Sequence, residues 1–134
     1  MKNLFISAFL FLATIVSSFA NTSDLELPTE ENSAKLVKMV NNAAPDDWKT
    51  FKDAALLTIN WQGDLEVAKG WIDTALSIEE NGLTLEVLGD YYVSKGDEIK
   101  ARDTYFKALE NGFASLDQKD INRLQRKILV YARR

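Results

Sequence analysis

The sequence predicts an all-α fold of antiparallel helix hairpins that ends in a C-terminal capping helix. Three observations support this prediction. Apolar residues recur at intervals of three and four positions, which is the spacing of one helix face. Gly-Asp and Asn-Gly pairs interrupt that spacing where short turns are needed. No segment alternates apolar and polar residues for long enough to indicate a β-strand.

The first two predicted helices are separated by Pro45. The first begins after Thr29, has acidic residues in its first turn and ends at Ala44-Pro45, an order typical of a capped helix. Its apolar side comprises Leu36, Val37 and Val40. Asp46 or Asp47 caps the second helix, and its apolar face comprises Phe51, Ala55, Leu56 and Ile59. Both helices therefore have one face suited to packing.

The next three helices are bounded by turn signals. Gln62-Gly63-Asp64 ends the second helix and caps a third, which ends at Asn81-Gly82 and has the apolar face Leu65, Ala68, Trp71, Ile72, Ala75 and Leu76. A fourth helix, marked by Leu85, Leu88, Gly89 and Tyr92, stops at Lys95-Gly96-Asp97. The fifth ends at Asn111-Gly112 and carries Ile99, Ala101, Tyr105, Ala108 and Leu109. Asp117 then starts a final helix with the stripe Ile121, Leu124, Ile128 and Tyr131.

The chain repeats itself at an offset of 33 positions. Gly63-Asp64 then aligns with Gly96-Asp97, Ala68 with Ala101, and Ala75-Leu76 with Ala108-Leu109. Small residues at fixed places let paired helices approach closely, while large ones fill the remaining space. A helix pair of this size cannot bury its apolar face alone, so neighbouring pairs are expected to stack. A helical bundle without repeats is the simpler alternative.

These residues resemble the tetratricopeptide repeat family, whose unit of about 34 residues is a helix–turn–helix. Residues 82–113 give the clearest unit, with Leu88-Gly89, Tyr92, Gly96-Asp97, Ala101, Tyr105 and Ala108 in the family's order. Residues 47–80 resemble a degenerate unit, since Ala55-Leu56 replaces Leu-Gly and Ile59 replaces Tyr. The resemblance implies that residues 29–134 form a helical domain in which 117–133 serve as the capping helix.

The first twenty residues have the pattern of a secretory signal. Lys2 precedes an apolar run from Leu4 to Val16, and Ser18-Phe19-Ala20 supplies small residues at the cleavage positions. The run is shorter than the roughly 20 residues of a membrane-spanning helix, which disfavours a permanent anchor. We expect cleavage after Ala20, a flexible lead over residues 21–28, and a periplasmic or secreted protein with no membrane anchor.

Composition excludes several kinds of chemistry. The chain has no Cys and no His, so thiolate and histidine-dependent nucleophiles and the usual zinc and haem ligands are absent. Adjacent acidic pairs such as Glu79-Glu80 point to different helix sides and are poor candidates for a shared acid–base site. We therefore expect no enzyme activity, no cofactor and no metal. An enzyme that uses carboxylates alone is the weakest alternative.

Charge is unevenly distributed along the chain. The formal net charge is −4, and it becomes −5 when Lys2 is removed with the signal. Six basic residues against two acidic ones nevertheless occur from Asp117 onward. An acidic protein is a poor partner for nucleic acid. A protein or peptide partner is expected instead, and a structural subunit of an envelope complex or a homo-oligomer is the alternative.

The resemblance also implies where a partner would bind, because the first helix of each tetratricopeptide pair lines a concave groove. The implied groove residues are Thr50, Asp53, Leu57, Asn60, Trp61, Leu83, Glu86, Val87, Asp90, Val93, Lys119, Asn122, Arg123 and Arg126. Lys119 and Arg123 match two cations of the family's clamp for acidic C-terminal peptides, but Asp53, Leu57 and Val87 depart from it. A guest of mixed charge, between an acidic and a basic wall, is therefore expected. The indole of Trp61 is expected to stack on such a guest. The alternatives are inter-helix packing for Trp61 and a solvated surface for the charged residues.

Overall fold

The computed structural model describes residues 30–133, and within them all regular structure is α-helical. The helices are α1 (Glu30–Asn41), α2 (Trp48–Asn60), α3 (Leu65–Ile78), α4 (Gly82–Ser94), α5 (Glu98–Gly112) and α6 (Gln118–Ala132). The prediction of an all-α fold is confirmed for this range. The predicted signal (1–20) and lead (21–28) lie outside the described residues. None of the helices in this range is long and apolar enough to cross a membrane.

Side-chain caps define where five of the helices begin. Asp47, Asp64, Asp97 and Asp117 each accept a hydrogen bond from a backbone N–H in the first turn of α2, α3, α5 and α6. Asn81 caps α4 and forms a reciprocal capping box with Thr84. Satisfying these otherwise unpaired N–H groups stabilises a helix start by about 1 kcal/mol. The prediction that Asn81-Gly82 ends the third helix is therefore wrong, since the pair begins α4 and Glu79 caps α3.

Consecutive helices pack against one another, and α2 also contacts α4 directly. The interior consists of two clusters of buried side chains. The first lies among α2, α3 and α4 and contains Ala55, Ile59, Ala68, Ile72, Val87 and Tyr91. The second joins α4 and α5 to α6 and contains Leu85, Ala101, Tyr105, Ala108, Leu124 and Ile128. The alanines predicted to allow close helix approach are thus buried.

The turn between α2 and α3 is one residue longer than the turn between α4 and α5. Asp64 and Asp97, which cap α3 and α5, are 33 positions apart, in agreement with the predicted offset. The left-handed residues that end α2 and α4 are Gln62 (φ 56°) and Gly96 (φ 76°), and they are 34 positions apart. The turn after α2 therefore has one extra residue, Gly63. The alignment of α2 with α4 at 33 positions is wrong by one, and Ala55 is the structural equivalent of Gly89.

Two residues predicted on packed faces are exposed. Ile99 in α5 is 66% exposed and Val37 in α1 is 45% exposed. Two helical positions correspond to a rotation of about 200°, so Ile99 lies almost opposite the buried Ala101. The assignment of Ile99 to the packed stripe is therefore wrong for a simple geometric reason. Leu36 supplies the buried apolar contact of α1 instead.

Gly89 in α4 lies directly against the ring of Tyr105 in α5. A Cβ atom built on Gly89 would lie within 3.0 Å of three atoms of the Tyr105 ring. That ring is almost fully buried, and its hydroxyl is hydrogen-bonded to Asp90. The ring cannot move aside without breaking this contact, so position 89 requires the absence of a side chain.

Gly89→Ala is expected to lower the free energy of unfolding by about 1–3 kcal/mol, because the added methyl group overpacks the α4–α5 contact. Gly70→Ala is the matched control. Gly70 lies inside α3 with no atom near its Cβ position, so this substitution should stabilise the protein by about 0.5–1 kcal/mol. Urea denaturation of both variants measures the effect. Equal effects of the two substitutions would contradict a close α4–α5 contact at Gly89.

Candidate binding groove

Two adjoining clefts run along α4, between α2 and α6. The larger, of about 580 Å³, is called the Arg126 cleft and lies where α2 and α4 end. The smaller, of about 430 Å³, is called the Glu86 cleft and is also lined by Lys52, Leu56, Leu83 and Val87. The clefts share Asn60, Asp90, Arg123 and Lys127. Together they form one continuous groove.

A partly buried ion pair joins α6 to α4 in the floor of the groove. Arg123 donates two hydrogen bonds to Glu86, with Nε–Oε1 and Nη2–Oε2 distances of 2.7 Å and 2.6 Å. The Glu86 side chain is only 6% exposed. A two-point guanidinium–carboxylate contact fixes both the distance and the orientation of its partners. The pair therefore constrains the orientation of α6 relative to α4. Arg123 also donates to Asp120 on its own helix.

Lys127 extends the network to a second carboxylate. Its Nζ lies 2.8 Å from Glu86 Oε1 and 2.6 Å from Asp90 Oδ1. Asp90 also accepts a hydrogen bond of 2.6 Å from the Tyr105 hydroxyl. Lys127 and Tyr131 lie against the Tyr105 ring, at 5.3 Å and 6.1 Å from its centre. The network thus connects α4, α5 and α6.

The network holds two groups in fixed protonation states. Burial by itself would raise the pKa of Glu86, but hydrogen bonds and positive charge from Arg123 and Lys127 outweigh it, and the pKa is lowered below its ordinary value of 4.5. Burial, and then the charge and hydrogen bond of Asp90, raise the pKa of Tyr105 far above its ordinary value. Glu86 is therefore an ionised acceptor and Tyr105 a protonated donor at neutral pH.

Spacing explains why two carboxylates meet two cations in the groove floor. Glu86 and Asp90 are four positions apart on α4, and Arg123 and Lys127 are four positions apart on α6. Residues at this spacing lie one helical turn apart on the same face, so two such faces can pair turn by turn. Lys127 was missed as a site residue. The matching four-residue spacing of opposite charges on the two helices was the signal that could have identified it.

The structure places some predicted site residues in the groove and others outside it. Asn60, Glu86, Asp90, Arg123 and Arg126 line one or both clefts, and so do Leu83, Val87 and Val93. Asp53 and Leu57 line neither cleft. Lys52 and Leu56 lie at the places that were expected for them. The cause is the one-residue register error in α2, because Lys52 and Leu56 are the equivalents of Glu86 and Asp90 at an offset of 34.

The other predicted groove residues lie outside both clefts. Lys119 is exposed, and Asn122 accepts a hydrogen bond of 2.9 Å from Gln118 on the same helix. Trp61 is partly buried, and its Nε1 atom is buried without a hydrogen-bond acceptor among residues 30–133. Thr50 donates hydrogen bonds from its backbone N–H and its hydroxyl to Asp47, the residue that caps α2. None of these four lines the clefts.

The contact between the walls changes what the groove offers to a guest. The expected acidic and basic walls meet at Glu86 and Arg123, so these two charges neutralise each other. Lys127 and Asp90 do the same. Arg126 is the groove cation for which no ion pair is found among the described residues. The part of the groove open to a guest is therefore apolar and weakly basic rather than balanced between two charged walls.

No group of three or more Asp and Glu side chains within residues 30–133 is arranged to hold a metal ion. Comparison of the chain with protein-family models, with curated proteins and with solved structures gives no match.

Glu86→Gln is expected to lower the free energy of unfolding at pH 7 by about 1–3 kcal/mol, because it leaves Arg123 and Lys127 without their buried counter-charge. Since the pKa of Glu86 is lowered on folding, its contribution is present above pH 4.5 and is lost as the pH falls through the folded-state value. The variant should therefore lose less stability than the wild type between pH 6 and pH 3. Urea denaturation at both pH values measures this.

Glu66→Gln is the matched control for this substitution. Glu66 pairs with Lys95 at 3.4 Å, and its side chain is 76% exposed. Exposed pairs contribute little to stability, so this variant should keep the wild-type pH dependence. If Glu86→Gln behaved like Glu66→Gln, the groove floor would not depend on the ion pair.

Proposed function

We propose that the chain is an exported, non-catalytic interaction module of tetratricopeptide-like architecture that binds a protein or peptide segment in the groove. The observation that carries this proposal is a groove formed by α2, α4 and α6, with the Glu86–Arg123 pair in its floor. A preformed site avoids much of the ordering cost of binding. The helix periodicity, the buried alanines and the signal-like first twenty residues support the remaining parts.

The open surfaces of the groove suit a segment with apolar side chains. Val93 and Val130 line the Arg126 cleft, and Leu56, Leu83 and Val87 line the Glu86 cleft. Asn60, Gln62 and Ser94 add neutral polar groups at the edge. Apolar contacts supply affinity, while a few polar groups fix the orientation of a guest. The groove is short, so the expected affinity is modest unless several contacts act together.

The groove chemistry favours binding over catalysis. The two carboxylates that converge there, Glu86 and Asp90, are both occupied by Lys127. The lowered pKa of Glu86 makes it a poor proton donor at neutral pH. The sequence has neither Cys nor His to serve as an alternative nucleophile or base. These residues are therefore better suited to holding the groove together.

A photo-crosslinking amino acid at Asn60 is expected to capture a guest in the envelope of the cell that exports this chain. Asn60 is exposed and lines both clefts. The same amino acid at Asp73, an exposed residue of α3 that lines neither cleft, is the control. The proposal predicts a defined adduct from position 60 and none from position 73. Adducts of equal yield at both positions, or none at position 60, would contradict it.

The alternative, a structural subunit or homo-oligomer, is supported by a different surface. Ile99 and Phe106 lie seven positions apart on α5, Phe113 follows seven positions later as the C-cap of that helix, and all three are exposed. This spacing places them along one outward side of the helix, where another chain could pack. We call these three residues the α5 stripe.

Light scattering after size-exclusion chromatography distinguishes the two candidates. The interaction module is expected to elute as a monomer. A dimer that Phe106→Asp dissociates, and that the exposed control substitution Lys107→Asp leaves intact, would support the structural subunit through the α5 stripe. That result would contradict the module as the main role.

A further inference from the structure

The Arg126 cleft has a specific chemical character that the Glu86 cleft lacks. Ile59, Val93 and Val130 form its apolar surface, and Val130 is 52% exposed. Arg126 has no ion-pair partner among residues 30–133. An apolar surface beside one uncompensated guanidinium suits a short segment that carries both aliphatic and carboxylate side chains.

Such a segment exists in this chain, immediately before the described residues. Residues 21–29 read NTSDLELPT and contain two leucines, Leu25 and Leu27, two acids, Asp24 and Glu26, and no basic residue. The composition is complementary to the Arg126 cleft in both respects. Its acids oppose Arg126, and its leucines match Val93 and Val130.

The direction of α1 brings this segment to the correct end of the groove. Residues 42–47 connect α1 to α2, and the two helices are in contact. A link this short between packed helices makes them antiparallel. The buried residues of α1, Asn32 and Leu36, lie toward its N-terminal end, so that end is packed as well. Glu30 therefore lies beside the C-terminal end of α2, which supplies Ile59, Asn60 and Gln62 to the cleft.

The length of the segment is sufficient. Nine extended residues span about 30 Å, whereas a helix with its side chains is about 10–12 Å across. The segment can thus pass over the end of α2 and lie along the cleft.

We propose that residues 21–29 bind in the Arg126 cleft of their own chain, with an acidic side chain at Arg126 and the leucines against Val93 and Val130. A tethered segment has an effective concentration in the millimolar range. This occupant is additional to the proposed function and does not depend on the identity of any guest.

The chain has no cysteine, so Ser23→Cys creates a single site for a nitroxide spin label. The experiment uses the chain from Asn21 onward, which contains the segment and all six helices. The proposal predicts loss of amide NMR intensity at Ser94 and Val130, and none at Asn111, which lies at the far end of α5. Arg126→Glu should restore the lost intensity. Lys119→Glu makes the same charge change on an exposed residue of α6 outside the clefts and should not.

Asp24→Asn combined with Glu26→Gln gives a second test that leaves every helix unchanged, and it should also restore intensity at Ser94 and Val130. Three results would overturn the proposal. They are full intensity at both amides in the labelled chain, equal effects of Arg126→Glu and Lys119→Glu, or intensity loss that disappears when labelled chain is diluted with unlabelled chain. The last result would identify a second copy as the occupant.

Discussion

The arrangement of the groove depends on the contact between Arg123 and Glu86. α6 is the last helix of the described chain, and it packs against α5 with Leu124 and Ile128 as its buried residues. The two-point ion pair, together with Lys127 and Asp90, adds a constraint on the rotation of α6 to this apolar packing, because charge and geometry must match at two successive turns. The wall of the groove and the position of Arg126 follow from this contact.

Helix positions were largely predictable from sequence because their determinants are local. Asp64, Asp97 and Asp117 begin helices through hydrogen bonds within three residues of themselves. The burial of Ala68, Ala101 and Ala108 was predictable from their periodicity. The register of α2 was not, because it depends on whether Gln62 or Gly63 takes the left-handed conformation. The position of Gly63 next to the cap Asp64 favours the glycine, but in the structure Gln62 has the positive φ.

The candidate site was predictable in part, for a related reason. Glu86, Asp90 and Arg123 were expected in the groove from the resemblance to tetratricopeptide repeats, and Asp53 and Leu57 were misplaced by the register error. The four-residue spacing of the charges is visible in the sequence, but it does not show which charges pair, since Glu86 and Arg123 are 37 positions apart. Partners at this separation are chosen by how whole helices dock. A groove that looks doubly charged in sequence therefore offers mainly an apolar surface and Arg126.

A double-mutant cycle on Glu86 and Arg123 tests most directly whether this ion pair docks α6. Glu86→Gln, Arg123→Gln and the combined variant are compared with the wild type by urea denaturation at pH 7. The structure predicts a coupling free energy of at least about 1 kcal/mol, because each substitution removes the partner of the other. Strictly additive effects, with a coupling near zero, would show that α6 is held by its apolar contacts alone and would contradict a groove floor that depends on the ion pair.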